Sequence, residues 1–220
     1  MDDYRRRFLT LALHAQALRF GEFTLKSGRV SPYFFNAGRF DSGVALAALG
    51  DCYADAIDDA ALDFDLLFGP AYKGIPLATA VACSYARHGR DLPLAFNRKE
   101  AKAHGEGGTL IGAPLAGRRV LIVDDVITAG TAVREALALI GEGGGTPVGI
   151  AIALDRQEVV DADATVRRSA AQSVAEEFGL AVVAVARLSD LLALAGESAE
   201  LVSERERLVA YRGRYGCGDG

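Results

Sequence analysis

The sequence predicts an α/β protein, with a mostly parallel central sheet, helices on both faces and a small N-terminal hood. Three observations predict it. Short apolar runs at 120–123 and 148–154 alternate with amphipathic helical stretches, the pattern of a parallel sheet buried on both faces. Residues 1–40 break the alternation and so cap the core instead of joining it. A chain of 220 residues can bury such a core in a single domain without disulfides or a structural metal.

Each element follows from local pattern. Phe8, Leu11, Ala12, Ala15 and Leu18 share one helical face, which predicts an amphipathic helix over 4–20. Arg5, Arg6 and Arg7 then read as its solvated first turn. Extended segments at 22–26 and 32–36 flank the turn-forming Ser27-Gly28-Arg29. A helix over 43–58 leads to a short buried strand at 65–68, which ends in Gly69-Pro70. A helix over 74–88 and a strand at 92–96 follow, and 98–112 reads as a polar, glycine-rich loop. The clearest strand is 120–123, followed by a helix over 131–140 and a strand at 148–154. A helix at 170–178, a strand at 181–186, a helix at 188–195 and a last helix near 199–212 complete the domain. The glycine-rich tail over 213–220 is predicted to be flexible.

Composition narrows the function. The 24 Lys and Arg residues against 29 Asp and Glu leave a net charge of −5. That excludes a protein whose main task is to coat nucleic acid or an anionic membrane, but not one that binds a small anion in a local patch. Cys52, Cys83 and Cys217 have no metal-ligand or CxxC spacing and read as buried or incidental thiols. The N-terminus lacks the apolar stretch of a signal peptide, and no apolar run approaches the ~18 residues of a membrane span. A cytoplasmic protein is expected.

In parallel sheets ligands bind at the carboxyl ends of strands, and the motifs fall there. The strongest is Val120-Leu121-Ile122-Val123-Asp124-Asp125-Val126-Ile127-Thr128-Ala129-Gly130-Thr131-Ala132. A buried strand delivers two adjacent carboxylates. A turn of small and hydroxyl residues then opens a helix whose free amides and dipole suit a phosphate monoester. The carboxylates suit sugar hydroxyls, a divalent cation or a developing positive charge. No GxxxxGK[ST] run is present, and Gly141, Gly143, Gly144 and Gly145 follow a helix, which disfavours a P-loop or a dinucleotide fingerprint. A second strand-end loop, Gly69-Pro70-Ala71-Tyr72-Lys73-Gly74, adds a cation. Arg98, Lys99, Lys102 and His104, followed by three glycines in 105–108, read as a basic lid. Phe34 and Phe35 lie in the hood, where a paired Phe-Phe points to opposite faces.

Taken together, these residues resemble the bacterial orotate phosphoribosyltransferases, within the type I phosphoribosyltransferase fold. The likeness runs through 21–28, 31–36, 64–76, 97–108, 124–135 and Leu154-Asp155-Arg156-Gln157-Glu158. It implies transfer of the 5-phosphoribosyl group of phosphoribosyl diphosphate (PRPP) to N1 of orotate, giving orotidine 5′-phosphate and diphosphate in de novo pyrimidine synthesis. The resemblance sets Asp124, Asp125, Val126, Ile127, Thr128, Ala129, Gly130, Thr131 and Ala132 around the ribose 5-phosphate. Tyr72 and Lys73 would meet the diphosphate, on a strained backbone, under Arg98, Lys99, Lys102 and His104. Phe34, Phe35, Thr128 and Arg156 would hold orotate, with Lys26 between the two substrates. Lys26, Lys99, Lys102, His104, Asp124 and Asp125 would carry the chemistry, His104 as a general acid or as a neutral donor. Mg²⁺ would arrive with PRPP, with Asp124 or Asp125 reaching it through water and no direct protein ligand assigned. A homodimer is implied, Lys99 serving the neighbouring subunit, with no nucleic-acid or membrane partner. Ala103 stands where the family commonly has Asp, so the lid chemistry is expected to differ. Two other readings remain: a phosphoribosyltransferase for another base, and a non-enzymatic regulator that senses PRPP.

Overall fold

The computed structural model describes residues 3–25, 27–102, 108–159, 167–197 and 201–217, with backbone alone for Ala101, Lys102 and Gly108. Lys26, Ala103 and His104 lie outside the described residues.

The chain opens with helix α1 (Asp3–His14), shorter than the periodicity predicts. Gln16 adopts a left-handed backbone with φ 55°, and the chain turns there into an antiparallel hairpin. The hairpin comprises β1 (Leu18–Thr24) and β2 (Val30–Phe35), with Leu18 opposite Phe35 and Arg19 opposite Phe34. Leu18, assigned by spacing to the helix, is instead buried in a strand. Phe8, Phe35 and Phe40 form a ring cluster with centroids 6.1–6.4 Å apart, which fixes the hood to α1.

Ser42 caps α2 (Gly43–Asp59), its hydroxyl accepting from the Ala45 amide at 3.2 Å, as a good N-cap does. There follow β3 (Leu66–Gly69), α3 (Gly74–Arg87), β4 (Leu94–Lys102), β5 (Gly108–Gly112) and β6 (Arg119–Asp124). The remaining elements are α4 (Thr131–Glu142), β7 (Thr146–Asp155), α5 (Ala170–Phe178), β8 (Ala181–Arg187), α6 (Leu188–Glu197) and α7 (Val202–Tyr215). The main sheet has the order β5-β4-β3-β6-β7-β8, parallel except for β5.

Alternation along the strands explains why they are apolar throughout. Leu67, Leu121, Val123, Ala151 and Ala153 face a core built with α1, α2, α3 and α6. Phe68, Val120, Ile122, Ile150 and Ile152 face a second core, built with α4 and α5. Each fully buried Leu, Ile or Phe stabilises the fold by roughly 1.5–3 kcal/mol.

Two expectations are corrected at the ends of elements. Within 98–112, expected as a loop, residues 98–102 and 108–112 form arms of β4 and β5, which pair antiparallel: Phe96 pairs with Ile111, Asn97 with Leu110 and Lys102 with Gly108. Backbone pairing satisfies these residues whatever their side chains, so a charged sequence hides a strand. Of the tail over 213–220, expected to be flexible, residues 213–215 continue α7 and 216–217 dock, while 218–220 lie outside the described residues. Gly216 bridges Glu158, and Cys217, 4% exposed, donates its amide to Gln157 O at 2.8 Å.

The turn between β3 and α3 requires glycine. A Cβ on Gly74 would lie 2.5 Å from Pro70 Cδ and 2.7 Å from Val123 O, and one on Gly69 would lie 2.5 Å from Gly74 O. These contacts let the loop lie directly against the end of β6. Gly74→Ala is expected to destabilise the chain by about 1–3 kcal/mol through overpacking. Urea unfolding measures it as a lowered midpoint at unchanged slope.

Candidate active site

The strand order places the site. From β3 the chain proceeds to β4 on one side, and β6 then inserts on the other side of β3 and leads on to β7. The carboxyl ends of β3 and β6 therefore flank a topological switch point, where open α/β sheets form their ligand crevice. The loops at 70–73 and 125–130 meet there.

The acid pair is held by its own backbone. Asp124 Oδ1 accepts from the Asp125 amide and Asp125 Oδ1 from the Val126 amide, both at 2.9 Å. Tyr53 donates its hydroxyl to Asp124 O at 2.8 Å, and the Ala153 amide donates to Asp125 O at 2.9 Å. Neighbouring strands and α2 thus fix both residues, which are 9% and 7% exposed. Lys73 Nζ reaches Asp125 Oδ2 at 2.6 Å, so the two loops touch through opposite charges.

Burial, reinforced by the Asp125 charge, pushes the Asp124 carboxyl up to about 6 against the usual 3.8, opposed by the Asp125 amide and Lys73. A carboxyl raised in this way favours folding below its unfolded value, and that contribution is lost as pH rises through about 6. The unfolding free energy is expected to fall between pH 4 and pH 6.5, by up to about 3 kcal/mol from this group. Denaturant titrations across that range check it, since Asp124→Asn removes the slope.

Beyond the acid pair, Ile127 is buried while Thr128, Ala129, Thr131 and Ala132 are exposed. Gly130, at φ 72°, is the N-cap of α4 and supplies no side-chain cap. The first turn of α4 and the exposed Thr128 and Thr131 therefore follow directly on the acid pair, an arrangement suited to phosphate. In the opposite loop, the Ala71 amide donates to Asn97 Oδ1 at 2.8 Å, and the Ala71–Tyr72 peptide is cis. Tyr72 is 66% exposed, with Lys99 Nζ 5.4 Å above its ring. Arg98 is half-buried on β4, its Nε without a hydrogen-bond partner among the described residues.

The base side is divided. Phe35 points into the core, at 8% exposed, which leaves its backbone and not its ring to a ligand. Phe34 faces the other way, half-buried, 5.4 Å from Phe23 and under Arg19. Arg156 stands at the end of β7, bonded to Glu158 and to Ser31 of β2. The structure therefore gathers Tyr72, Lys73, Lys99, Asp124, Asp125 and the 126–132 turn at one sheet edge, and ties Arg156 to the hood.

Sequence reasoning missed Tyr53, Asn97, Ser31 and Glu158. Glu158 lies two residues beyond Arg156, but Gln157 between them takes a left-handed backbone with φ 49°, so strand alternation does not predict their pairing. Tyr53 and Asn97 carried no signal, because only the tertiary fold brings them to the loops.

All three cysteines are free, Cys52 and Cys217 buried and Cys83 exposed. Among the described residues no cluster of three or more metal-ligating side chains occurs, and no helix is long and apolar enough to cross a membrane. Two adjacent carboxylates beside a loop suited to phosphate fit Mg²⁺, which is typically held by one or two carboxylates together with substrate phosphates.

The phosphoribosyl transferase domain model matches residues 41–187. The chain is 75% identical over 217 residues to the orotate phosphoribosyltransferase of Xanthomonas axonopodis pv. citri, covering 98% of each. It is 69% identical over 216 residues to that of Stenotrophomonas maltophilia, again covering 98% of each. In structure it is similar to the crystal structure of the Francisella tularensis orotate phosphoribosyltransferase, with a TM-score of 0.84, 40% identity, and coverage of 95% of this chain and 98% of that one.

Proposed function

This chain belongs to the orotate phosphoribosyltransferases, and on that premise we propose how its residues divide the reaction. The enzyme, a pentosyltransferase of pyrimidine synthesis, joins the phosphoribosyl group of PRPP to N1 of orotate and releases diphosphate. The 2.6 Å contact of Lys73 with Asp125 across the switch point carries the reading: it brings a diphosphate-facing cation within one bond of a ribose-facing carboxylate.

The amides and hydroxyls over 126–132 hold the 5-phosphate at the N-terminus of α4. Asp124 and Asp125 take the ribose hydroxyls and face C1, where breaking the bond to diphosphate builds positive charge. Lys73 and the Tyr72 loop receive the leaving group, whose negative charge Arg98, Lys99, Lys102 and His104 stabilise as water is excluded. Lys26 bridges the substrates. Phe34, the Phe35 backbone and Thr128 hold the pyrimidine, and Arg156 grips its carboxylate through charge-assisted hydrogen bonds. Mg²⁺ would arrive with PRPP, with Asp124 or Asp125 reaching it through water, and when bound the ion would neutralise charge on the diphosphate.

An absorbance assay with orotate, PRPP and Mg²⁺ tests this reading, which expects one diphosphate released per orotate consumed. PRPP binding without turnover would favour a non-enzymatic sensor, and turnover of a base lacking the carboxylate in place of orotate would favour a related transferase.

We also propose a homodimer in which Lys99 serves the neighbouring site. Mixed dimers of Lys99→Ala and Asp125→Asn subunits are expected to recover activity that neither parent shows. No recovery would confine Lys99 to its own subunit, where it already stands over Tyr72.

A further inference from the structure

The loop after β7 holds a charge pair whose acidic member the reaction scheme leaves unused. Glu158 Oε1 accepts from Arg156 Nε at 2.8 Å and from Nη2 at 2.7 Å. The two side chains are only 15% and 13% exposed, so the pair is shielded and geometrically defined, unlike a surface ion pair. Nη2 also donates to Ser31 Oγ at 3.3 Å, and the guanidinium lies 4.7 Å from the centre of the Tyr33 ring. The Tyr33 hydroxyl donates to the same Glu158 oxygen at 3.4 Å.

Two further elements brace this arrangement. Tyr33 belongs to the hood, and the buried Tyr211 of α7 meets its ring edge-on at 6.3 Å. The segment after α7 is laced to the loop, with Gly216 bridging Glu158 and Val159 N donating to Tyr215 O at 2.9 Å. The hood and the last helix thus converge on one guanidinium.

The bonds described engage Nε and Nη2 of Arg156, and none uses Nη1. Arginine presents its donors in a rigid planar fork, so fixing one edge sets where the other points. Glu158 is itself negative and would repel the base's carboxylate at close range, so any help it gives must act through Arg156. We propose that Glu158 is a positioning residue for substrate recognition, pinning the Nε–Nη2 edge of Arg156 so that the Nη1 edge is presented to the carboxylate of orotate. This rests on the assignment of Arg156 to orotate. Prior orientation spares the binding step the cost of immobilising a long, flexible side chain.

Steady-state kinetics of the full-length Glu158→Ala, Glu158→Gln, Arg156→Ala and Arg156→Ala/Glu158→Ala variants with Mg²⁺ test the proposal. Glu158→Ala is expected to raise the KM for orotate about tenfold, the scale of one immobilised side chain, while the KM for PRPP stays unchanged. Glu158→Gln, which keeps an oxygen acceptor for the guanidinium, is expected to recover most of that loss. The double variant is expected to be no worse than Arg156→Ala, since a residue acting through Arg156 has nothing left to position. An unchanged orotate KM in Glu158→Ala, equal changes for both substrates, or a double variant far worse than Arg156→Ala would overturn the proposal. Loss of orotate binding in Arg156→Ala without loss in Glu158→Ala overturns the proposal alone. An unaffected Arg156→Ala overturns the underlying assignment as well.

Discussion

Asp124→Asn is expected to lower kcat on the order of a hundredfold and, at pH 7, to raise the unfolding midpoint. The two effects have one cause. Asp124 is a buried carboxylate beside a second carboxylate, and burial, reinforced by the Asp125 charge, pushes its proton affinity up. The amide keeps an Oδ1 acceptor for the Asp125 N–H and sheds the charge, so the fold gains what the reaction loses. Asp125→Asn is expected to lose turnover comparably without the gain in stability, because the Asp125 charge is already paired with Lys73. Stopped-flow or steady-state turnover, paired with thermal melts of the same preparations, reads both. Retention of full activity by either variant would remove the carboxylates from the ribose.

Arg156→Ala is expected to raise the KM for orotate roughly 10- to 100-fold, the worth of a charge-assisted hydrogen bond to a carboxylate. The KM for PRPP should change little, because Arg156 lies at the end of β7 while the loops proposed to hold PRPP follow β3 and β6. Initial-rate series at varied orotate and varied PRPP separate the two. Equal loss for both substrates would mean that Arg156 supports the fold of the site and not the base.

Much of this was legible in the sequence because the signals are local. The run from Val120 to Ala132 states a buried strand, an acid pair and a helix start without reference to anything distant. The β4–β5 hairpin was not legible, since its arms carry Arg98, Lys99 and Glu100 and their pairing depends on β5 closing the sheet edge. The early end of α1 was hidden as well. Leu18 satisfies helical spacing and strand alternation equally, and only the pairing of Leu18 with Phe35 decides between them. Phe34 and Phe35 were seen as a pair, but which ring enters the core follows from the contacts with Phe8 and Phe40. The docking of Cys217 on Gln157 joins residues 60 apart in sequence and leaves no trace in composition.

A crystal structure of the chain with PRPP and Mg²⁺ tests the division of labour most directly. The account predicts the 5-phosphate on the amides of 128–132, the ribose hydroxyls on Asp124 and Asp125, and the diphosphate against Tyr72 and Lys73. A 5-phosphate bound away from the N-terminus of α4, or a diphosphate that leaves Lys73 on Asp125 and lies elsewhere, would contradict it.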